Sequence, residues 1–242
     1  MRTEILGVYF DNLTMDKAVE NAMNMMDKKN ASIVVTPNPE IVWNARNDKE
    51  LAGILNEADL VLPDGIGIMY GAKILKRPLS QKLPGIDFCL CIIEKMANTG
   101  KKLFLFGAAP GVAELAAGKL KEEFPGLVIV GTHDGYFKDD EPVVDIINSV
   151  APDFLMVCLG SPKQELWMNR NKEKLSVGVM SGLGGSLDVF AGNVKRAPKV
   201  IQNAGFEWLY RLIKNPSRIG RMAKIPMFLF AVMGQRISGS RR

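Results

Sequence analysis

Histidine is nearly missing from this chain: His133 is the only one in 242 residues. A single imidazole excludes catalytic designs that need two, and one set in Gly131-Thr132-His133-Asp134-Gly135 reads as structural. Cysteine is scarce too. Cys89, Cys91 and Cys158 are odd in number, sit in apolar surroundings and lack metal-type spacing, the pattern of buried thiols in a reducing cytosol. No stretch approaches the ~20 consecutive apolar residues of a membrane-spanning helix. The opening Met1-Arg2-Thr3-Glu4 leads into only a short apolar run, so no signal-peptide core is expected. No Asp-x-Asp pair of the kind that holds a metal in many nucleotide-sugar enzymes occurs, and Asp139-Asp140-Glu141 reads as the acidic start of a helix. Internal repeats and low-complexity segments are absent as well.

What is present is the balance of a globular protein, 47% hydrophobic and 24% charged. Its charge is unevenly placed. Eleven of the 31 Lys and Arg, but one of the 26 Asp and Glu, lie in 195–242, a net +10 that leaves −5 over 1–194. Such a basic segment suits an anionic membrane, a phosphorylated substrate or nucleic acid. Its apolar content favours the first two, and no nucleic-acid motif accompanies it.

Apolar, β-rich runs alternate with helical patterns. Strands are expected at Ile5–Phe10, Ser32–Thr36, Leu60–Leu62, Leu103–Phe106, Leu127–Val130, Phe154–Leu159 and Val177–Met180. Helices are expected near 15–28, 40–56, 66–76, 86–98, 111–123, 142–150 and 163–173, the second renewed by a capping box at Asn47 and Glu50. This repeated βα order predicts a Rossmann-like α/β fold, a mainly parallel sheet with helices on both faces. The register breaks after about residue 194, so the expected division is 1–194, an α/β catalytic domain, and 195–242, a helical basic appendage. There Phe206, Leu209, Tyr210 and Ile213 fall at i, i+3, i+4 and i+7, and Asn215-Pro216 reads as the start of a further helix. The apolar run Ile225–Met233 suits a membrane interface or packing on the body or a second copy.

In an open α/β sheet, ligands bind at the carboxyl ends of strands, where helix N-termini offer unpaired N–H groups. Four turns qualify, each with a plainer reading beside it. Gly160-Ser161-Pro162-Lys163-Gln164-Glu165 follows a buried-strand pattern and is an anion site or an ordinary βα connection. Thr36-Pro37-Asn38 carries hydroxyl and amide groups suited to sugar hydroxyls, or simply forms a turn. Asp64, followed by Gly65-Ile66-Gly67, faces a ligand crevice or caps a helix. Gly182-Leu183-Gly184-Gly185-Ser186 lets backbone approach a phosphate or nucleobase, or is a flexible connector. Gly107-Ala108-Ala109-Pro110-Gly111 is a loose glycine turn without the full dinucleotide fingerprint. Arg211, Lys214, Arg218 and Arg221 form a stripe suited to phosphate oxygens or to solvent.

Thr36-Pro37-Asn38, Leu62-Pro63-Asp64-Gly65, Pro84-Gly85-Ile86-Asp87, the Gly160 turn, Arg196-Ala197-Pro198, Glu207-Trp208-Leu209-Tyr210-Arg211 and Pro216-Ser217-Arg218 occur in that order. Together they closely resemble the WecG/TagA/CpsF glycosyltransferase family over nearly the whole chain, and within it the N-acetylmannosaminyltransferases of wall teichoic acid synthesis. The resemblance implies an inverting, metal-independent transfer of N-acetylmannosamine, without a cofactor, from its UDP donor to undecaprenyl-diphosphate-linked N-acetylglucosamine. It implies a cytoplasmic enzyme peripheral on the inner membrane face, touching anionic lipid through the appendage. Asp64 is then the general base, and Thr36, Asn38 and Gln164 are sugar- or nucleotide-binding groups. Lys82, Gly160, Ser161, Pro162, Glu165, Gly184 and Gly185 complete the expected substrate-binding set, while Arg211, Arg218 and Arg221 meet the diphosphates. One position departs: the family usually carries Arg before its Pro-Gly or Ala-Gly, where Gln81-Lys82-Leu83 stands here, keeping charge but losing the bidentate fork. A uronic-acid donor and a non-catalytic UDP-sugar-binding scaffold are the rival readings, and apolar tail faces make a homodimer a further expectation.

Overall fold

The computed structural model describes residues 2–216 and 219–239, without the side chains of 203, 211, 221 and 222. Its first surprise is at the start. Instead of one strand over 5–10, β1 (Arg2–Ile5) and β2 (Val8–Asp11) form an antiparallel hairpin. Leu6 and Gly7 both take positive φ, 50° and 85°, the two-residue turn whose twist suits paired strands. Ile5, Val8 and Phe10 are buried in the main core.

The remaining strands are β3 (Ser32–Val35), β4 (Leu60–Val61), β5 (Lys102–Gly107), β6 (Val128–His133), β7 (Phe154–Cys158) and β8 (Val179–Gly182). They form one sheet of order β4-β3-β8-β7-β5-β6, with every neighbouring pair parallel. Alternation along these strands fills two separate cores. Ile33, Val35, Phe104, Phe106, Leu155, Val157 and Met180 face one, and Val34, Leu103, Leu105, Phe154, Met156 and Val179 face the other. The first core is closed by α2 (Pro39–Ala45), α3 (Lys49–Glu57), α4 (Ile66–Ile74), α7 (Asp140–Val150) and α8 (Lys163–Asn171). The second is closed by α1 (Met15–Lys28), α5 (Gly85–Ala97), α6 (Val112–Glu123) and α9 (Ser186–Phe190). A Rossmann-like parallel sheet with helices on both faces is therefore the architecture. The helix expected over 40–56 is broken in two, and the second half starts from Asp48 rather than Asn47, with Asp48 Oδ1 accepting from Leu51 N at 3.0 Å.

The C-terminal part holds α10 (Lys199–Asn203), α11 (Glu207–Lys214), α12 (Ile219–Met222) and α13 (Lys224–Gly239). Asn215 and Pro216 precede the undescribed pair 217–218. α13 is seated on the body. Phe228 and Val232 are fully buried in the first core, and Gly71 leaves room for the Phe228 ring, which a Cβ there would meet at 3.1 Å. Gln235 Nε2 donates to both Glu4 carboxylate oxygens at 2.8 Å, and its Oε1 accepts from Leu6 N at 3.0 Å. Lys224 Nζ donates to Asn44 Oδ1 at 2.8 Å. Met227, Phe230, Met233 and Ile237, also on α13, remain exposed. No helix among the described residues is long and apolar enough to cross a membrane.

Candidate functional site

The loops that leave β3, β4, β8, β7, β5 and β6 line the carboxyl edge of the sheet in that spatial order. At the β3–β4 end they build an open cleft of about 150 Å³, whose walls include Asn38, Asp64 and Lys82. Three helices open at this cleft, α2 at Pro39, α4 at Ile66 and α5 just after Pro84. Their N–H ends favour an anion there. Glu207 and Trp208 of α11 and Ile225 of α13 close the outer wall, so body and appendage share the cleft.

Asp64 is half-buried, and its N–H donates to Pro37 O at 3.4 Å, tying the β4 loop to the β3 loop. The helix-cap reading of Asp64 does not hold. Gly65 occupies the cap position of α4 with φ +86°, and as a glycine it brings no capping side chain of its own. The carboxylate thus stands one residue ahead of the cap, in the cleft wall. Asn38 does cap a helix: its Oδ1 accepts from Ile41 N at 3.1 Å, which leaves its NH2 end as the donor available to a ligand. Lys82 Nζ reaches Gln202 O at 3.5 Å, a link from the body to α10.

Thr36 and Gln164 do not join that cleft. Both grip the exit of β8: Thr36 Oγ1 donates to Gly182 O at 3.5 Å, and Gln164 Oε1 accepts from Gly184 N at 2.9 Å. Gln164 is 3% exposed and Glu165 2%. Burial pushes the Glu165 carboxyl above its ordinary range, opposed by the Gln164 amide, its own backbone and the Ser161 hydroxyl. Ser161 Oγ is close enough to exert that pull without the direction of a hydrogen bond. Gly160, with φ +76°, opens the α8 turn and accepts from Gln164 N at 2.9 Å through its carbonyl. Pro162 and Gly185 are exposed at this edge, and Gly184 is half-buried.

A second cleft lies where β5, β6 and β7 end, walled by Ala108, Ala109, Gly135, Tyr136, Lys138 and Lys163. The loose glycine turn builds it. A Cβ at Gly107 would collide with the Cys158 carbonyl, and Gly107 and Ala108 carry φ +123° and +62°. Gly135 N donates to Ala108 O at 2.9 Å, and Lys163 Nζ donates to Gly135 O at 3.1 Å while lying 4.5 Å above the Phe137 ring. Tyr136 is 75% exposed, a free aromatic face beside two lysines. Tyr136 and Lys138 are not among the residues the sequence singled out; the available signal was an aromatic and a cation within three residues of Gly135, in the loop that follows β6.

Of the other expected groups, Arg218 lies outside the described residues, as do the side chains of Arg211 and Arg221. His133 is structural, its ring edge-on to Phe106 and its Nδ1 2.7 Å from Asp134 O. Arg196 pairs with Asp87 at 2.6 Å, fastening the start of the appendage to α5. Among the described residues, no group of three His, Cys, Asp or Glu side chains is placed to hold a metal ion.

A parallel sheet with two clefts on its carboxyl edge, one holding an acid, fits an enzyme that brings two substrates together. The model of the glycosyl transferase WecG/TagA/CpsF family matches residues 3–242, and the chain belongs to that family. It is a glycosyltransferase, an enzyme that transfers a hexose. Among its relatives, a Bacillus spizizenii protein is 39% identical over 208 residues, 86% of this chain and 81% of its own. A Staphylococcus aureus protein is 37% identical over 237 residues, 96% of this chain and 92% of its own. Both relatives bear the name N-acetylglucosaminyldiphosphoundecaprenol N-acetyl-beta-D-mannosaminyltransferase.

Proposed function

We propose that the protein transfers N-acetylmannosamine from UDP-N-acetylmannosamine to N-acetylglucosaminyl-diphosphoundecaprenol, forming the β-1,4 disaccharide lipid of wall teichoic acid linkage. The names of the two relatives support the acceptor and the sugar. The single observation that carries the mechanism is Asp64 in a cleft walled by both body and appendage.

The Asp64 carboxylate takes the proton of the acceptor hydroxyl as that oxygen attacks the anomeric carbon. The bond from this carbon to the donor's phosphate oxygen breaks, and its electron pair leaves with UDP. One displacement inverts the centre. General-base help of this kind is worth ~10²–10⁴-fold in rate. The UDP rests in the cleft at β5–β7, with Tyr136 against the base and Lys138 and Lys163 near the phosphates. At ~4.8 Å per strand, β7 lies roughly 14 Å from β4, a distance the diphosphate and sugar bridge across the β8 turn at Gly184 and Gly185. Helix N-termini, Lys82 and the appendage arginines Arg211, Arg218 and Arg221 meet the phosphate charge. The exposed apolar residues of α11 and α13, with the basic charge around them, rest on the anionic inner membrane face from which the lipid acceptor projects.

The test is UDP release from UDP-N-acetylmannosamine with the lipid-diphosphate acceptor, comparing wild type with Asp64→Asn. Acceptor-dependent release that collapses in the variant is the expected result. Silence from a folded, lipid-supplied wild type, or release only from the uronic-acid donor, overturns the assignment.

A further inference from the structure

Two residues expected to touch substrate both hold one strand exit. Gln164 spends both ends of its amide inside the protein, Oε1 on Gly184 N and Nε2 on Glu165 Oε1, each at 2.9 Å. Gly182 carries no side chain because this amide lies over it; a Cβ there would come 2.8 Å from Gln164 Nε2. A backbone N–H can only donate, so Gly184 is held only when the oxygen end of Gln164 faces it. The opposite end then needs an acceptor, and Glu165 supplies one.

That acceptor is costly. Glu165 is 2% exposed, and among the described residues no cation stands against it and its Oε2 has no hydrogen-bond partner. An unpaired buried carboxyl group is a poor choice for packing alone. Its immediate product is orientation: it forces the neighbouring amide to present oxygen to the turn at 182–185. We propose that Glu165 is a positioning residue, which sets the Gln164 amide so that the β8 turn keeps the shape that receives the donor. Gln164 on this view acts from beneath the substrate, together with Thr36, which holds Gly182 from the other side.

The second half of this inference rests on the transferase reading, so its test has one readout that does not. In the full chain, amide exchange of Gly184 is followed by ¹⁵N NMR in wild type, Glu165→Gln, Glu165→Met, Gln164→Met and the double Met variant. Loss of one hydrogen bond predicts about tenfold faster exchange at Gly184 in each Met variant. Leu183, whose N–H bonds to Val157 O, keeps its protection. Glu165→Gln, which still offers an acceptor, restores Gly184. The donor KM rises about tenfold in Glu165→Met with a smaller change in kcat, and adding it to Gln164→Met costs nothing more. Unchanged Gly184 exchange in Glu165→Met, equal loss in Glu165→Gln, or additive effects in the double variant overturn the proposal. Should the Met variant not fold, Glu165→Asp withdraws the acceptor by one methylene and carries the same expectation. A wild type without turnover defeats the transferase reading, while Gly184 exchange still decides the positioning.

Discussion

Asp64 was legible as a candidate because it closes a strand-like run ahead of Gly65, although a helix cap was the plainer reading of that spacing. Sequence could not say whether it capped α4; that was decided by the φ of +86° at Gly65, a backbone angle no residue pattern reports. Asp64→Asn is expected to lower transfer by ~10²–10⁴-fold with the thermal midpoint and circular dichroism of the wild type. The bonds Gln164 makes inside the protein were not legible, because the direction of a buried amide is set by partners distant in sequence, here Gly184. Glu165 makes a separate prediction about stability. Its folded pKa is raised above the ordinary 4.5, so the stability it contributes is present below that value and is lost as pH rises through the raised one. Glu165→Gln, which never ionises, should therefore match wild type in acid and gain on it as pH climbs, read as denaturation midpoints across a pH series. The thiols give a third prediction at this scale. Burial pushes Cys158 to about 12 and raises Cys89 and Cys91. Cys89 and Cys158 should resist alkylation at pH 8 until denaturant is added, whereas Cys91, only half-buried against the expectation of three buried thiols, should react first, as followed by mass.

Among the elements, the parallel strands were readable because β3, β7 and β8 are buried on both faces and rich in apolar residues, β7 throughout its length. The hairpin was not, since Leu6 in left-handed geometry carries no sequence signal and Gly7 alone was too weak a mark. The run over 225–233 posed a different problem. It is apolar almost all round, so periodicity could not select a face. The structure uses one side against the body and leaves the other open. Phe228→Ala would cost about 3–5 kcal/mol in a core that could not yield. A helix docked along one side can instead lift away, so the expected outcome is local. Exchange should quicken across 224–239 while β5, β7 and β8 keep wild-type protection. Uniform loss of protection throughout the sheet would show that α13 is part of the main cooperative unit.

For the whole molecule, charge and apolar surface act together. A body of net −5 bears a segment of net +10, beside the exposed Phe206, Ile213, Phe230 and Ile237. Sedimentation with vesicles should show binding to anionic lipid that weakens as salt rises from about 0.1 M to about 1 M, over which the Debye length falls from ~10 Å to ~3 Å. Neutral vesicles should bind less, and without lipid the same faces are free to pair two copies, which sedimentation velocity detects. The bond from Gln235 back to Glu4 has a consequence in time as well as in space. The two residues are 231 positions apart, so Glu4 leaves the ribosome long before its partner is made. Until then the seat of Phe228 beside Ile5 and Gly71 lies open, and the cleft at Asp64 lacks the wall that Trp208 and Ile225 provide. A growing chain thus carries a greasy notch that only its own later residues fill, and chaperones that recognise such notches should release this protein after α13 has docked.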